Sequence, residues 1–286
     1  MLSNAQVADY HRDGFVIVRE LFSREEIQPL FDAYRADPTI GGSLYGMVDR
    51  TGNAHPINIW VDLADDMIGM IPRMPRMVDS AEKIFGESCY HWHSKFTNKP
   101  PGCRAKIDWH QDYVSWYDDG VMFPTMLTVG IALEDTSEEN GCLQVVRGSH
   151  HMGLLQHEDR EIFDARVEAA KRSLGLVYCD LKQGDAAFFH SNTLHGSASN
   201  QSDRSRLMLF SSYNAASNEP VDGIVGDNKK GRFMGITPEE RKFRPIEMIS
   251  DDVLQKKAYL SAFDHTPFKK PIDTPDESYL QAVPLV

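Results

Sequence analysis

The first 87 residues carry mostly the spacing of amphipathic helices. Ser3 to Arg12 is polar with apolar residues at helical intervals, Ser3 is a candidate N-cap, and Gly14 is a stop. FVIVRE at 15–20 breaks that rhythm with β-branched and aromatic residues and predicts a strand. Ser23 followed three residues on by Glu26 is a capping box, predicting a helix to about Ala36. Residues 38–60, rich in Gly, Pro and Asn, read as loop. A further helix is expected over 74–85, ended by Gly86.

From Ser88 the rhythm shortens. The runs YHWHSKF, AKIDWHQD, MLTVGIAL, GCLQVV, LGLVYCDL, AAFFHSN and RLMLFSSYN are β-rich and separated by turn residues, as in a sandwich or barrel. EDREIFDARVEAAKRS at 158–173 interrupts them with helical spacing and many charges, so it reads as an exposed helical insert. After about residue 264 the chain carries Pro271, Pro275 and Pro284 with little periodicity and reads as an irregular tail. The pattern predicts one mainly β domain: a helical portion at 1–87, a β core at about 88–218 and an irregular extension at 219–286.

Composition narrows the partners. The chain has 286 residues and a formal net charge of −12, which repels polyphosphates at long range and argues against nucleic acid. No apolar run reaches 18 residues and the N-terminus has no apolar signal core, so no membrane partner and a cytoplasmic location are expected. Cys89, Cys103, Cys142 and Cys179 are scattered without a Cys-x-x-Cys pair, the distribution of reduced buried thiols rather than of a zinc cluster.

A different class of metal site is suggested by His-x-Asp, which on a strand points both side chains to one side. Two imidazoles and a carboxylate on one face suit iron(II) and leave the opposite positions open. The motif occurs three times: His11-Arg12-Asp13, His110-Gln111-Asp112 and His157-Glu158-Asp159. The first ends a polar helix and the third enters the charged insert; only His110 and Asp112 end a β-like run in the core. His190 and His195 are both candidates for the third ligand, and the small residues after His195 allow close approach.

Arg206 lies eleven residues beyond His195 on the next predicted strand, where a guanidinium can grip a carboxylate with two parallel hydrogen bonds. Arg204 is its competitor, assigned to the preceding turn. His93 and Lys95 alternate on one strand face and are candidates for binding a cosubstrate or substrate anion. Trp109, Tyr113, Trp116 and Tyr117 flank His110 and Asp112 and could wall a substrate, or simply pack the barrel. Lys99, Arg104 and Lys106 read as surface residues.

WHQD, EDTSEENGCLQVVRGSH and GDAAFFHSNTLHGSASNQSDRSR, in that order, resemble the phytanoyl-CoA dioxygenase superfamily of iron(II)/2-oxoglutarate oxygenases, over about residues 90–218, with a compatible start in VADYHRDGFVIVRELFSREEI. The resemblance implies a double-stranded β-helix, or cupin-like jelly roll. It implies iron(II) on His110, Asp112 and His195, and 2-oxoglutarate with its far carboxylate on Arg206 assisted by Ser197. It also implies a turn at Glu139–Gly141 and a structural role for Arg147–His150. Within the superfamily, WHQDYVSWYDDG and YNAASN are most similar to the ectoine hydroxylase-like group. That group carries Gln where His93 stands, a position linked to cosubstrate or substrate contact.

The expected reaction is hydroxylation of an unactivated C–H bond in a small polar or zwitterionic metabolite, consuming O2 and releasing succinate and CO2. Related halogenases lack the carboxylate ligand, so Asp112 favours oxygen-dependent oxidation. A bulky CoA ester or terpenoid substrate is the alternative, although a CoA ester would call for a basic mouth. A non-catalytic jelly-roll binding protein would be marked by a lost ligand or a lost arginine, and all four residues are present. A zinc hydrolase would have no need of Arg206.

Overall fold

A computed structural model describes residues 1–36, 45–158, 161–221, 241–255 and 280–282. The helices are α1 (Asn4–Asp13), α2 (Arg24–Ala36), α3 (Met67–Met70), α4 (Pro75–Phe85), α5 (Asp112–Asp118) and α6 (Asp164–Leu174). The strands are β1 (Phe15–Val18), β2 (Tyr45–Val48), β3 (Ala54–Trp60), β4 (Cys89–Lys99), β5 (Ile107–His110), β6 (Met126–Ala132), β7 (Gln144–Val146), β8 (His157–Glu158), β9 (Glu161–Ile162), β10 (Leu176–Tyr178), β11 (Ala186–His190), β12 (His195–Ser197), β13 (Arg206–Ala215) and β14 (Leu280–Ala282).

Eight strands form the major sheet in the order β1-β11-β6-β13-β4-β3-β2-β14, and four form the minor sheet, β10-β7-β12-β5. All pairings are antiparallel. This is a mainly β, cupin-like jelly roll. The strands at the centre of the major sheet are buried on both faces, which is why they read as continuous apolar runs. Leu127, Val129, Ile131, Phe188, Leu207 and Leu209 face the helices, packing with Ile27, Leu30, Met77, Val78 and Ala81. Their neighbours Ala132, Ala187, Phe189, Met208 and Phe210 face inward and meet Leu143 and Val145 of the minor sheet.

The helix ends follow the sequence. Ser3 caps α1 in a capping box with Gln6, and Gly14 closes it at φ +80°, a conformation that glycine adopts without steric penalty. The Ser23 and Glu26 side chains exchange bonds with each other's amides at 3.2 and 2.8 Å. Arg147–His150 braces the minor sheet: Arg147 pairs with Asp13, while the Ser149 hydroxyl donates to the Val146 carbonyl and accepts from the Leu194 amide.

Three expectations are corrected. Residues 45–60 form the hairpin β2–β3 rather than loop, and the turn-forming residues belong to its bend, where the Asp49 carboxylate accepts from the Thr51 and Asn53 amides. The first 87 residues are therefore not mainly helical in role, because β1, β2 and β3 all join the major sheet. The insert is a helix only from Asp164 to Leu174, preceded by the two-stranded β8–β9 hairpin. The tail from residue 264 falls outside the described residues apart from β14.

Candidate metal centre and adjoining cavity

Pairing of β5 with β12 sets His110 directly opposite His195. Their rings lie 4.1 Å apart between centroids. Asp112 opens α5, two residues beyond the strand end, so the chain turns there and carries the carboxylate back toward both rings. One ligand atom from each of His110, Asp112 and His195 falls within 4.8 Å of the other two. Asp112 Oδ1 is 3.5 Å from His110 Nε2 and 3.8 Å from His195 Nε2. Among the described residues this is the one group of three or more His, Cys, Asp and Glu side chains with metal-binding geometry.

The surroundings fix which atoms converge. His110 Nδ1 is bonded to the Asp108 carbonyl and His195 Nδ1 to the Thr193 carbonyl, both at 2.8 Å. A carbonyl only accepts, so each Nδ1 carries the hydrogen and each Nε2 keeps its lone pair for a cation. Thr128 Oγ1 donates to Asp112 Oδ2 at 3.1 Å, leaving Oδ1 facing the rings. Gln111, between the two ligands, points the other way and bonds the Gly153 and Asn192 carbonyls and the Leu155 amide. Burial opposes ionisation of Asp112, but its neighbours, the Lys95 charge first among them, outweigh it and hold the carboxyl well below its usual range. Burial, with the neighbouring His110, lowers His195 to about 3, so its ring is neutral at pH 7. Two imidazoles and a carboxylate, converging and partly desolvated, fit iron(II).

A cavity opens beside this cluster. His110, His195, Lys95, Thr97, Ser197 and Arg206 line its polar part, and Phe189, Phe210 and Leu143 its apolar part. Arg206 is 1% exposed, and its three assigned bonds go to the Gly141 carbonyl (3.1 Å), Thr97 Oγ1 (2.9 Å) and Ser197 Oγ (3.4 Å). Burial lowers it to about 10, still a cation at neutral pH. The turn at Glu139–Gly141 serves this arginine: Gly141 sits at φ +77°, and a Cβ there would meet the Ala198 carbonyl at 2.5 Å.

The other candidates separate. His93, 5% exposed, lies with its ring 6.0 Å from Trp116 and feels the Asp112 charge, but it does not line the cavity that holds Arg206. Lys95 lines that cavity, with its ammonium 5.7 Å from the Phe210 ring. Tyr113 and Trp116 pack with Tyr90, Trp92, Val121 and Met126, and the Tyr113 hydroxyl donates to the Val121 carbonyl. Trp109 is corrected: strand alternation turns it away from His110, into the cluster beneath α6, where Lys171 lies 4.2 Å from its ring centroid. Arg204 belongs to the turn, its carbonyl accepting from Asn200. His190 faces His150 and Tyr10, outside the ligand cluster. Lys99 is the second correction. It is fully buried and donates to Ser197 Oγ at 2.7 Å. Sequence reasoning also passed over Thr128, whose place on a buried apolar strand was its only signal.

The model of the phytanoyl-CoA dioxygenase (PhyH) family matches residues 10–208, a span that includes both histidines, Asp112 and Arg206. The chain belongs to the phytanoyl-CoA dioxygenase family. It is accordingly a 2-oxoglutarate-dependent dioxygenase of the iron type. It is 28% identical over 268 residues to the ectoine dioxygenase of Bordetella bronchiseptica, covering 87% of each chain. It is 30% identical over 180 residues to the L-proline trans-4-hydroxylase of Streptomyces griseoviridis, covering 56% of this chain and 67% of that one. Among solved structures it resembles EctD from S. alaskensis with 2-oxoglutarate and 5-hydroxyectoine, at a TM-score of 0.73 and 22% identity over 87% of this chain and 88% of that one.

Proposed function

We propose that the chain hydroxylates an unactivated C–H bond of a small zwitterionic metabolite, with His110, Asp112 and His195 holding iron(II) and Arg206 holding the far carboxylate of 2-oxoglutarate. The observation that carries this reading is the placement of three convergent ligand atoms at one side of a cavity whose lining includes a buried arginine with no carboxylate partner among the described residues. Iron(II) with 2-oxoglutarate supplies oxidising power from O2, with succinate and CO2 as the other products.

The protein supplies position and a dry site. The Asp108 and Thr193 carbonyls hold both imidazoles in the tautomer that binds a metal. Thr128 fixes the rotation of the Asp112 carboxylate. Arg206, anchored by Gly141 and Thr97, keeps N–H donors free for a carboxylate, and Phe189 and Phe210 exclude water beside it. Lys95 neutralises negative charge between the carboxylate of Asp112 and the cosubstrate. Because His93 feels the Asp112 charge but does not line this cavity, we assign it, with Trp116 against its ring, to the substrate rather than to 2-oxoglutarate, which revises the expectation for His93.

Ectoine and L-proline, for which two relatives are named, are both small zwitterions, and this favours that substrate class over a CoA ester. Among the described residues no helix is long and apolar enough to cross a membrane. All four cysteines are free thiols, which suits the reducing cytoplasm where we place the activity.

Anaerobic addition of iron(II) and then 2-oxoglutarate to the metal-free protein should raise a weak visible charge-transfer band, and O2 with ectoine, L-proline or related zwitterions should then yield succinate. Arg206→Ala should bind iron normally but need on the order of a hundredfold more 2-oxoglutarate, as expected for a buried charge pair. Absence of the band in the unaltered protein would overturn the oxygenase reading. An unchanged cosubstrate requirement in Arg206→Ala would overturn the assignment of the arginine.

A further inference from the structure

Lys99 ends β4, and alternation along that strand sets it on the face that carries Lys95 and Thr97 toward the cavity. Its partner across the ladder is Arg206. The two side chains are 0% and 1% exposed, and among the described residues neither has an ion-pair partner. Burying two like charges together without a carboxylate is costly unless an anion joins them. Burial, reinforced by the Arg206 charge, pushes Lys99 down to about 6, and a carboxylate arriving beside Arg206 would oppose that shift.

The hydrogen bonds show how the two cations are linked. Lys99 Nζ faces three oxygens: the Ser197 and Ala198 carbonyls and Ser197 Oγ. In the protonated form, which a carboxylate beside Arg206 favours, the group has three hydrogens and no lone pair, so it satisfies all three only as a donor. Ser197 Oγ then accepts from Lys99 at 2.7 Å and from Arg206 Nη2 at 3.4 Å. Both lone pairs of the hydroxyl are thereby used. Its own proton has no acceptor among the described residues, and Ser197 lines the cavity.

We infer that Lys99 is a positioning residue for the cosubstrate: by donating to Ser197 it turns the serine hydroxyl proton into the cavity, where that proton and Arg206 together grip the distal carboxylate of 2-oxoglutarate. This rests on the function proposed above. It differs from a purely structural role for Lys99 in one respect: it concerns only ligands that carry a distal carboxylate.

The test compares 2-oxoglutarate with oxalate, a metal chelator that has no distal carboxylate, by anaerobic titration calorimetry on the iron(II)-loaded protein. Lys99→Met should weaken 2-oxoglutarate about tenfold or more and leave oxalate within about twofold, the effect of losing one charge-assisted hydrogen bond. In a Ser197→Ala background the same substitution should have little further effect on 2-oxoglutarate. Should Lys99→Met not fold, Lys99→Leu, which also lacks a donor, carries the same pair of titrations. Unchanged 2-oxoglutarate affinity, equal losses for both ligands, or full additivity with Ser197→Ala would each overturn the inference while leaving the dioxygenase reading standing. Failure of the unaltered protein to bind 2-oxoglutarate at all would instead overturn that reading.

Discussion

Each side chain of the proposed metal site is held by one specific partner, and those partners are the place to test the site without touching a proposed ligand. Thr128 Oγ1 bonds both Asp112 Oδ2 and Ser212 Oγ, so the carboxylate is locked through a chain of hydroxyls across the major sheet. Thr128→Val keeps the branched shape and removes the donor. Iron(II) affinity should fall about tenfold, the usual effect of losing a group that orients a ligand, with the fold retained. Competition titration with a fluorescent chelator reads this directly, and an unchanged affinity would mean that Asp112 is oriented by packing alone. The triad itself was legible in the sequence, because His-x-Asp at a strand end is local and the β texture around it excludes the other two pairs. Thr128 and Lys99 were not. Their roles depend on cross-strand neighbours, Ser212 and Arg206, that lie 84 and 107 residues away in the chain. The alternation of His93, Lys95, Thr97 and Lys99 was visible all the same, and it sets Lys99 on the same strand face as Lys95.

At the scale of elements, the sequence marks ends better than partnerships. Gly14 and Gly86 stop their helices as expected, and the β runs fall on strands. The β2–β3 hairpin escaped because its bend and its short strands share one Gly-, Asn- and Pro-rich composition. Pairing with β4, in which Ile57 faces Thr97, is what makes β3 a strand, and that contact spans 40 residues. Trp109 was misplaced for a related reason. A strand that ends in a ligand points every second residue away from the site, and only the bend after His110 brings Asp112 back. The turn at Glu139–Gly141 allows a direct test of element on site. Gly141→Ala would put a side chain at φ +77° and against the Ala198 carbonyl. It should destabilise the protein by about 1–3 kcal/mol, and because the Gly141 carbonyl anchors Arg206, it should also weaken 2-oxoglutarate binding. Chemical denaturation and cosubstrate titration of the same variant would show both losses; a stability loss alone would mean that Arg206 is anchored well enough by Thr97.

For the whole molecule, burial of histidines sets how the fold responds to acid. Desolvation is the first cause of the lowered pKa at His55, His93 and His190, and His190 is brought to about 3. Unfolded, each would take up a proton near pH 6.5. Between about pH 6.5 and 3 the unfolded chain therefore binds more protons than the folded one, so stability is full above that window and falls as pH drops through it. The slope is at most about 1.4 kcal/mol per pH unit for each histidine held neutral. The metal-free protein should lose a few kcal/mol between pH 6.5 and 5 by this linkage alone, before most carboxylates titrate. Urea denaturation across this range measures it. His190→Phe removes one of these groups and lies outside the His110, Asp112 and His195 cluster, so its profile should be shallower than that of the unaltered protein. A flat profile in the unaltered protein would show that these rings accept protons in the folded state. Iron(II) should deepen the dependence, because a proton on His110 or His195 competes with the metal for the same Nε2 lone pair.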